Sequence, residues 1–287
     1  FKAQSANLLN NPRAIAQELL CSFESSGFSF LDKDSYTYLL NTIESPIARY
    51  GPNLEMDIWE YPASNHKYLI SADVARGDAD DYSAFHVLDL SVKPCSVVAE
   101  YKGKMQPDKF AEFLVEIGRK YNDAFIVHEK NSAGLVTSFK LKDLKYPYVF
   151  YSDLFEKTKE LFKLYMDTEI GELQPGFTTS VKTRPEILAK LEASIRNRQL
   201  RCRSKRLTDE FQTFVIIGDK PKAQKNCNDD LVMSLAIGSA FVEYAEKISS
   251  NNNDMALALL KAMQVKSKSM SSIMPDNSFG YQGADLP

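Results

Sequence analysis

Acidic residues stand at the ends of three apolar segments, a placement that suits the trapping of divalent cations. Asp73 closes the run Tyr68-Leu69-Ile70-Ser71-Ala72, and Glu129 closes Ala124-Phe125-Ile126-Val127-His128. Asp229 and Asp230 open the long apolar stretch that begins at Leu231. In a parallel sheet, ligands collect at the carboxyl ends of strands near a topological switch point. Carboxylates at the ends of neighbouring strands lie about 5 Å apart, and a helix start can bring in a third. Ionised carboxylates held that close repel one another unless a cation lies between them. All-oxygen ligands suit Mg²⁺ or Mn²⁺. The chemistry this pattern points to is metal-dependent attack on a phosphodiester. A pair of ions roughly 4 Å apart would clamp the attacking water and the leaving oxygen. Asp73, from the central strand, would bridge both ions, with Glu129 and Asp230 each holding one. Taken singly, each acid also reads as a turn former or a helix cap. Their joint placement at one end of the sheet favours the metal site.

These acids need a sheet to bring them together, and the chain is large enough to build one. Its 287 residues are 44% apolar, enough for a sizeable core in one large domain or one domain with appendages. Lys67 to Val74 reads as a strand covered on both faces. Ser83 to Leu90 and Ser96 to Lys102 continue it as a meander. Pro107 to Tyr121 reads as an amphipathic helix with proline in its first turn. Ala124 to Glu129 is the next strand, Ala133 to Leu144 a helix and Tyr148 to Tyr151 a short strand. Thr183 to Asn197 is a helix, Leu200 to Arg203 an edge strand and Leu207 to Phe214 a short helix. Val215 to Asn228 reads as a lysine-rich hairpin or loop, and Asp230 to Glu246 as a buried helix apolar almost all round. The second strand is expected antiparallel to its neighbours, with the first and fourth parallel and adjacent. That gives an α/β fold with a mixed central sheet. Before the core, Pro12 to Phe23 and Ser35 to Ile43 have helical spacing, and Gly51 to Lys67 reads as a linker or edge-covering loop. Asp153 to Ser180 is expected to be an insertion with a helical stretch at Leu154 to Met166. A further short helix is expected at Asp254 to Val265.

Charge and cysteine content narrow the function classes. The formal net charge is −3, so nucleic-acid contact must come from a local patch. Arg196, Arg198, Arg201, Arg203, Lys205 and Arg206 form one basic cluster, and Lys220, Lys222 and Lys225 follow close to Asp230. Arg201, Arg203, Lys205, Arg206 and the three hairpin lysines are candidates for tracking phosphates. The competing reading is a charged sheet edge that blocks pairing. Cys21, Cys95, Cys202 and Cys227 contain no Cys-x-x-Cys pair, which fits a reducing compartment and argues against structural zinc. No signal peptide, membrane-length apolar run or phosphate-cradling glycine loop is present. His128 should face away from Glu129 and pack rather than ligate. His66 has no evident partner. The chain begins at Phe1 rather than Met, as an excised fragment would.

Three segments carry a family resemblance. They are Ser71-Ala72-Asp73-Val74-Ala75-Arg76-Gly77 with Asp81-Tyr82-Ser83-Ala84, then His128-Glu129-Lys130-Asn131-Ser132-Ala133-Gly134, then Asn228-Asp229-Asp230-Leu231-Val232-Met233-Ser234-Leu235. In order and spacing, over about residues 65 to 245, the chain resembles the nuclease domain of the large terminase subunit of T-even-like tailed bacteriophages. Leu20 to Phe30 looks like the segment that joins motor to nuclease in such proteins. The resemblance implies an RNase H-like fold that cuts concatemeric double-stranded DNA during genome packaging. It puts the catalytic acids at Asp73, Glu129 and Asp230, with Asp229 and Asp81 as further metal-site acids and two Mg²⁺ or Mn²⁺ ions. Arg76 departs from the family, which often has an acid there, and Asn228 replaces the usual histidine while still able to cap the helix. The implied layout is residues 1–65 leading from a missing ATPase domain, 66–248 as the nuclease and 249–287 as a flexible tail. The implied partners are duplex DNA, an N-terminal ATPase domain of the same full-length chain, a portal ring and a small terminase subunit. No membrane is involved, and the setting would be the infected bacterial cytoplasm, transiently on the procapsid portal. A junction resolvase or RNase H, and a non-catalytic docking module of a packaging motor, are the alternative expectations.

Overall fold

The computed structural model describes residues 29–78, 81–152 and 175–250. The helices expected at Pro12–Phe23, Leu154–Met166 and Asp254–Val265, most of the motor-joining segment, Cys21, and the tail beyond 250 lie outside the described residues. The chain divides into two units, Phe1–Ser249 and Ser250–Pro287. The fold described here belongs to the first.

A seven-stranded mixed sheet is its centre. The strands are β1 (Ala48–Tyr50), β2 (Met56–Ile58), β3 (Tyr68–Asp73), β4 (Ser83–Asp89), β5 (Cys95–Gly103), β6 (Phe125–His128) and β7 (Leu200–Arg201). Their order is β1-β2-β5-β4-β3-β6, with β7 also against β5. As expected, β4 is antiparallel to both neighbours, and β3 and β6 are adjacent and parallel. The stretch Gly51 to Lys67, expected as a linker or covering loop, instead supplies β2, which pairs antiparallel with β5 and with β1. The proline-rich composition hid a three-residue strand. Tyr148 to Tyr151, expected as a strand, makes only single bridging pairs, Ile126 with Val149 and Tyr151 with Gly176.

Alternation along the strands sends side chains into two cores. Tyr68, Ile70, Ala72, Phe85, Val87 and Ile126 pack toward α2 (Pro107–Lys120) and α3 (Ala133–Asp143). Leu69, Ala84, Leu88, Val97 and Val127 pack on the opposite face. Covering that face are α1 (Lys33–Asn41), α4 (Thr183–Arg196), α5 (Lys205–Thr213) and α6 (Asp230–Ser250). Burial on both faces explains why these strands read as nearly continuous apolar runs. Local signals set the helix starts. Asp32 accepts the Ser35 N–H at 2.7 Å, Ser204 accepts the Leu207 N–H at 3.1 Å, and Pro107 opens α2. The hairpin expected after Val215 is β8 (Phe214–Ile217) with β9 (Lys220–Ala223).

The long helix α6 crosses the sheet closely. A Cβ at Gly238 would sit 2.5 Å from Ser71 Oγ, so only glycine lets α6 approach β3 there. One turn nearer its start, Ser234 Oγ meets His86 Nδ1 at 2.9 Å. These two contacts fix where the first residue of α6, Asp230, is delivered.

Candidate active site

Register places the acids in a row. Asp73 pairs with Ala84, and Ala84 with Lys102 on β5. On the other side the Glu129 N–H donates to the Ala72 carbonyl at 2.9 Å, so Glu129 follows the strand end beside Asp73. Asp73 shares alternation with Leu69, and Glu129 with Val127, and both leucine and valine belong to the core under α6. Glu129, Asp73 and Lys102 therefore line one level of one face, with Asp230 reaching them from α6.

The acids act on one another. Burial lifts the Asp73 carboxyl well above the usual carboxylate range. The neighbouring charge of Glu129, a hydrogen bond with Glu129, and the charges of Asp230 and Asp229 push it the same way. Burial also raises Asp230, opposed by Lys102 and reinforced by Asp81. All five acids expected at a metal site thus belong to one electrostatic neighbourhood.

Three of the acids, Glu129, Asp229 and Asp230, are also held by the protein. Asn131 Nδ2 donates to Glu129 Oε1 at 3.0 Å and to the Thr179 carbonyl at 2.8 Å. A Cβ at Gly134 would lie 1.9 Å from the Glu129 carbonyl oxygen. The Glu-x-Asn-x-x-Gly element is thereby explained: asparagine orients the acid, and glycine makes room for its backbone. Arg184 Nη2 lies 2.7 Å from Asp229 Oδ2. Lys102 Nζ lies 3.0 Å from Asp230 Oδ2 and is paired with Glu210 Oε1. Glu210 Oε2 accepts the N–H groups of Leu231 at 2.9 Å and Val232 at 3.2 Å, which caps α6. Asn228, expected as a cap, donates to Asp230 Oδ2 at 3.2 Å. Burial pushes the Glu210 carboxyl up to about 7, against the pull of Lys102. The Lys102 ammonium is raised by Glu210 and Asp230 despite its own burial, so it stays charged.

Among the described residues, no group of three or more His, Cys, Asp or Glu is arranged as a ready-made metal cage. The reason is visible in the pairs just named: Asp73 is hydrogen-bonded to Glu129, and cations of the protein already sit on Asp229 and Asp230. The donor set nonetheless fits a hard divalent ion in kind and charge. Its acids are oxygen donors only, and they repel one another.

The remaining expected residues sort differently. His128 is fully buried on the face away from Glu129, with Nε2 2.8 Å from Ser138 Oγ. Ser138 Oγ lies within donating distance of the Gly134 and Pro175 carbonyls. The single hydroxyl proton goes to one of them, so His128 Nε2 carries the donated proton. Burial holds its pKa down at about 3. His66, expected without a partner, has Nδ1 2.7 Å from Asp89 Oδ2. The arginine track is corrected in part. Arg203 is buried, donating to the Val97 carbonyl and pairing with Glu44 and Glu60. Arg206 turns to Glu100 and Asp57. Arg203 lies just past β7 and Arg206 in the first turn of α5, and both are taken up by partners within the protein rather than aligned along DNA. Arg201 pairs with Glu44 and Lys205 with Asp209, both at the surface. Lys220, Lys222 and Lys225 are exposed, on and just after β9. Lys102, Glu210, Asn131 and Arg184 were not foreseen as site residues. The signal that could have found Lys102 is its spacing from Glu100, two charges two residues apart in an otherwise apolar strand and so on one face.

The geometry can be set against known structures. No family model matches the chain. The large terminase nuclease from thermophilic phage G20c with bound magnesium is 18% identical, covers 75% of this chain and 98% of its own, and superposes with a TM-score of 0.56. The same nuclease with bound cobalt gives 18% identity, the same two coverages and a TM-score of 0.54. A further structure of that nuclease is 19% identical over 72% of this chain and 97% of its own, with a TM-score of 0.52. The fold is that of a large terminase nuclease. It is an RNase H-like α/β fold with a mixed sheet flanked by helices. On this terminase-nuclease fold, Asp73 and Glu129 lie at the carboxyl ends of β3 and β6, and the start of α6 meets the same row at Lys102. No helix among the described residues is long and apolar enough to cross a membrane.

Proposed function

We propose that this chain is a divalent-metal-dependent endodeoxyribonuclease that cuts concatemeric double-stranded viral DNA during genome packaging. The observation that carries the reading is the convergence of Asp73, Glu129 and Asp230, mutually repelling, on one face of a terminase-nuclease fold. The similar G20c structures hold magnesium or cobalt, which supports Mg²⁺ or Mn²⁺ as the ion here. Asp73, Glu129 and Asp230 would hold one or two ions, with Asp229 and Asp81 beside them. A bound ion supplies a coordinated water of lowered pKa and neutralises charge on the phosphate. The chain's own residues do the rest. Asn131 holds Glu129 in line, α6 delivers Asp230, and Lys220, Lys222 and Lys225 draw the DNA backbone toward the acids. In the full-length protein this domain would follow an ATPase and work with a portal ring and a small terminase subunit in the infected bacterial cytoplasm.

The test is a cleavage panel with plasmid, four-way junction and RNA–DNA hybrid, in Mg²⁺, Mn²⁺ and EDTA. Plasmid should be nicked or linearised only with metal, and Asp73→Asn should leave it intact. Preference for the junction or the hybrid would reassign the substrate to a resolvase or RNase H. Plasmid that stays whole in both metals would remove the nuclease reading and leave a docking module.

A further inference from the structure

We propose that Lys102 is a positioning residue of this site, a built-in cation that holds Asp230 in place and competes with a divalent ion for it. The inference rests on the nuclease reading above. Lys102 stands in the same cross-strand row as Asp73, two strands away through Ala84. Its ammonium meets two carboxylates from two different helices, Asp230 Oδ2 at 3.0 Å and Glu210 Oε1. These contacts are largely shielded from solvent and so little screened: the side chains are 17%, 8% and 10% exposed for Lys102, Asp230 and Glu210. The other oxygen of Glu210 caps the first turn of α6 through Leu231 and Val232. Sheet, α5 and α6 are thus closed into a ring whose members are Lys102, Glu210, the α6 N-terminus and Asp230.

The ring has two consequences. First, both described partners of Asp230, Lys102 and Asn228, use Oδ2. That oxygen is committed to the protein, which leaves Oδ1 as the one for an ion. Second, the site carries a permanent positive charge. Lys102 offsets part of the repulsion among the acids when no metal is present, and it opposes an entering cation. Its removal should therefore loosen Asp230 while making the site more attractive to metal, two effects of opposite sign. A residue that merely supports the fold would weaken both binding and turnover.

The experiment is calorimetric titration of Mn²⁺ without DNA, alongside plasmid-cleavage kinetics, for wild type, Lys102→Met, Lys102→Arg and Glu210→Gln. Lys102→Met should bind Mn²⁺ several-fold more tightly, lose about 10- to 100-fold in kcat and keep its KM for DNA. Lys102→Arg should recover most of the turnover. Glu210→Gln, which keeps the size of the side chain, should lower kcat in the same direction and guards against a Lys102→Met variant that does not fold. Wild-type constants in Lys102→Met, or weakened Mn²⁺ binding in both Lys102→Met and Glu210→Gln, would overturn the positioning role while leaving the nuclease reading standing. A wild type that neither binds Mn²⁺ nor cuts DNA overturns both.

Discussion

Asp73 is placed where its own charge is unfavourable, since burial and three acidic neighbours all raise its pKa. The sign of its contribution to stability follows. A carboxyl whose folded pKa lies above its unfolded value of 3.8 favours the folded state most below that value. The benefit is lost as pH rises through the raised folded pKa. Asp73→Asn removes the charge and keeps the shape. In EDTA, the variant should melt at a higher temperature than wild type, with a gain of roughly 0.5–2 kcal/mol at neutral pH. The gain should shrink on acidification toward pH 4, and thermal melts across that range read it directly. The same variant should not cut DNA. A carboxylate kept at a cost to stability is what an active site demands and a turn former does not. This acid was legible in the sequence because a charge closing an apolar strand is conspicuous. Lys102 and Glu210 were not, because their meeting depends on the β4–β5 register and on how α5 packs under the sheet. Arg203 misled for a related reason: its charge says nothing about direction, and its partners, the Val97 carbonyl, Glu44 and Glu60, come from distant parts of the chain.

Short elements hold the site, and glycine decides two of the close approaches. Gly134 lets the turn after β6 fold back on the Glu129 carbonyl, where a Cβ would lie only 1.9 Å from the oxygen and cannot fit. Gly134→Ala should cost about 1–3 kcal/mol by overpacking and shift Glu129 relative to Asp73. A urea melt would show the first effect and loss of metal-dependent cutting the second. Gly218→Ala, where a Cβ meets nothing within 4 Å but φ is +57°, is the control: it should cost about 1–2 kcal/mol through backbone strain alone and leave metal-dependent cutting intact. At this scale the sequence was informative where apolar patterns were long. The meander, the parallel β3–β6 pair and the buried α6 follow from continuous apolar runs that only a covered sheet or helix can absorb. β2 escaped because three residues among prolines and turn formers carry no period. Its place is set by pairing with β5, a long-range contact.

Over the whole molecule, a net charge of −3 leaves DNA attraction to local patches, and the fold reduces the candidates. Arg203 and Arg206 are committed to the protein's own carboxylates, while Lys220, Lys222 and Lys225 remain exposed in the hairpin leading to α6. Replacing the three lysines with alanine should weaken duplex binding evenly across sequences. The slope of log affinity against log salt should fall by about one per lysine, with melting unchanged. Arg203→Ala should do the reverse, losing about 1.5–3 kcal/mol of stability with the salt slope intact. Fluorescence anisotropy over a salt series separates the two. The central claim remains that Asp73, Glu129 and Asp230 gather divalent cations. A crystal soaked in Mn²⁺ tests it most directly, through anomalous scattering. Density beside Asp73, within coordinating reach of Glu129 or Asp230, is the expected result. A fully soaked crystal with no anomalous peak there, or with manganese bound only elsewhere on the molecule, would contradict it.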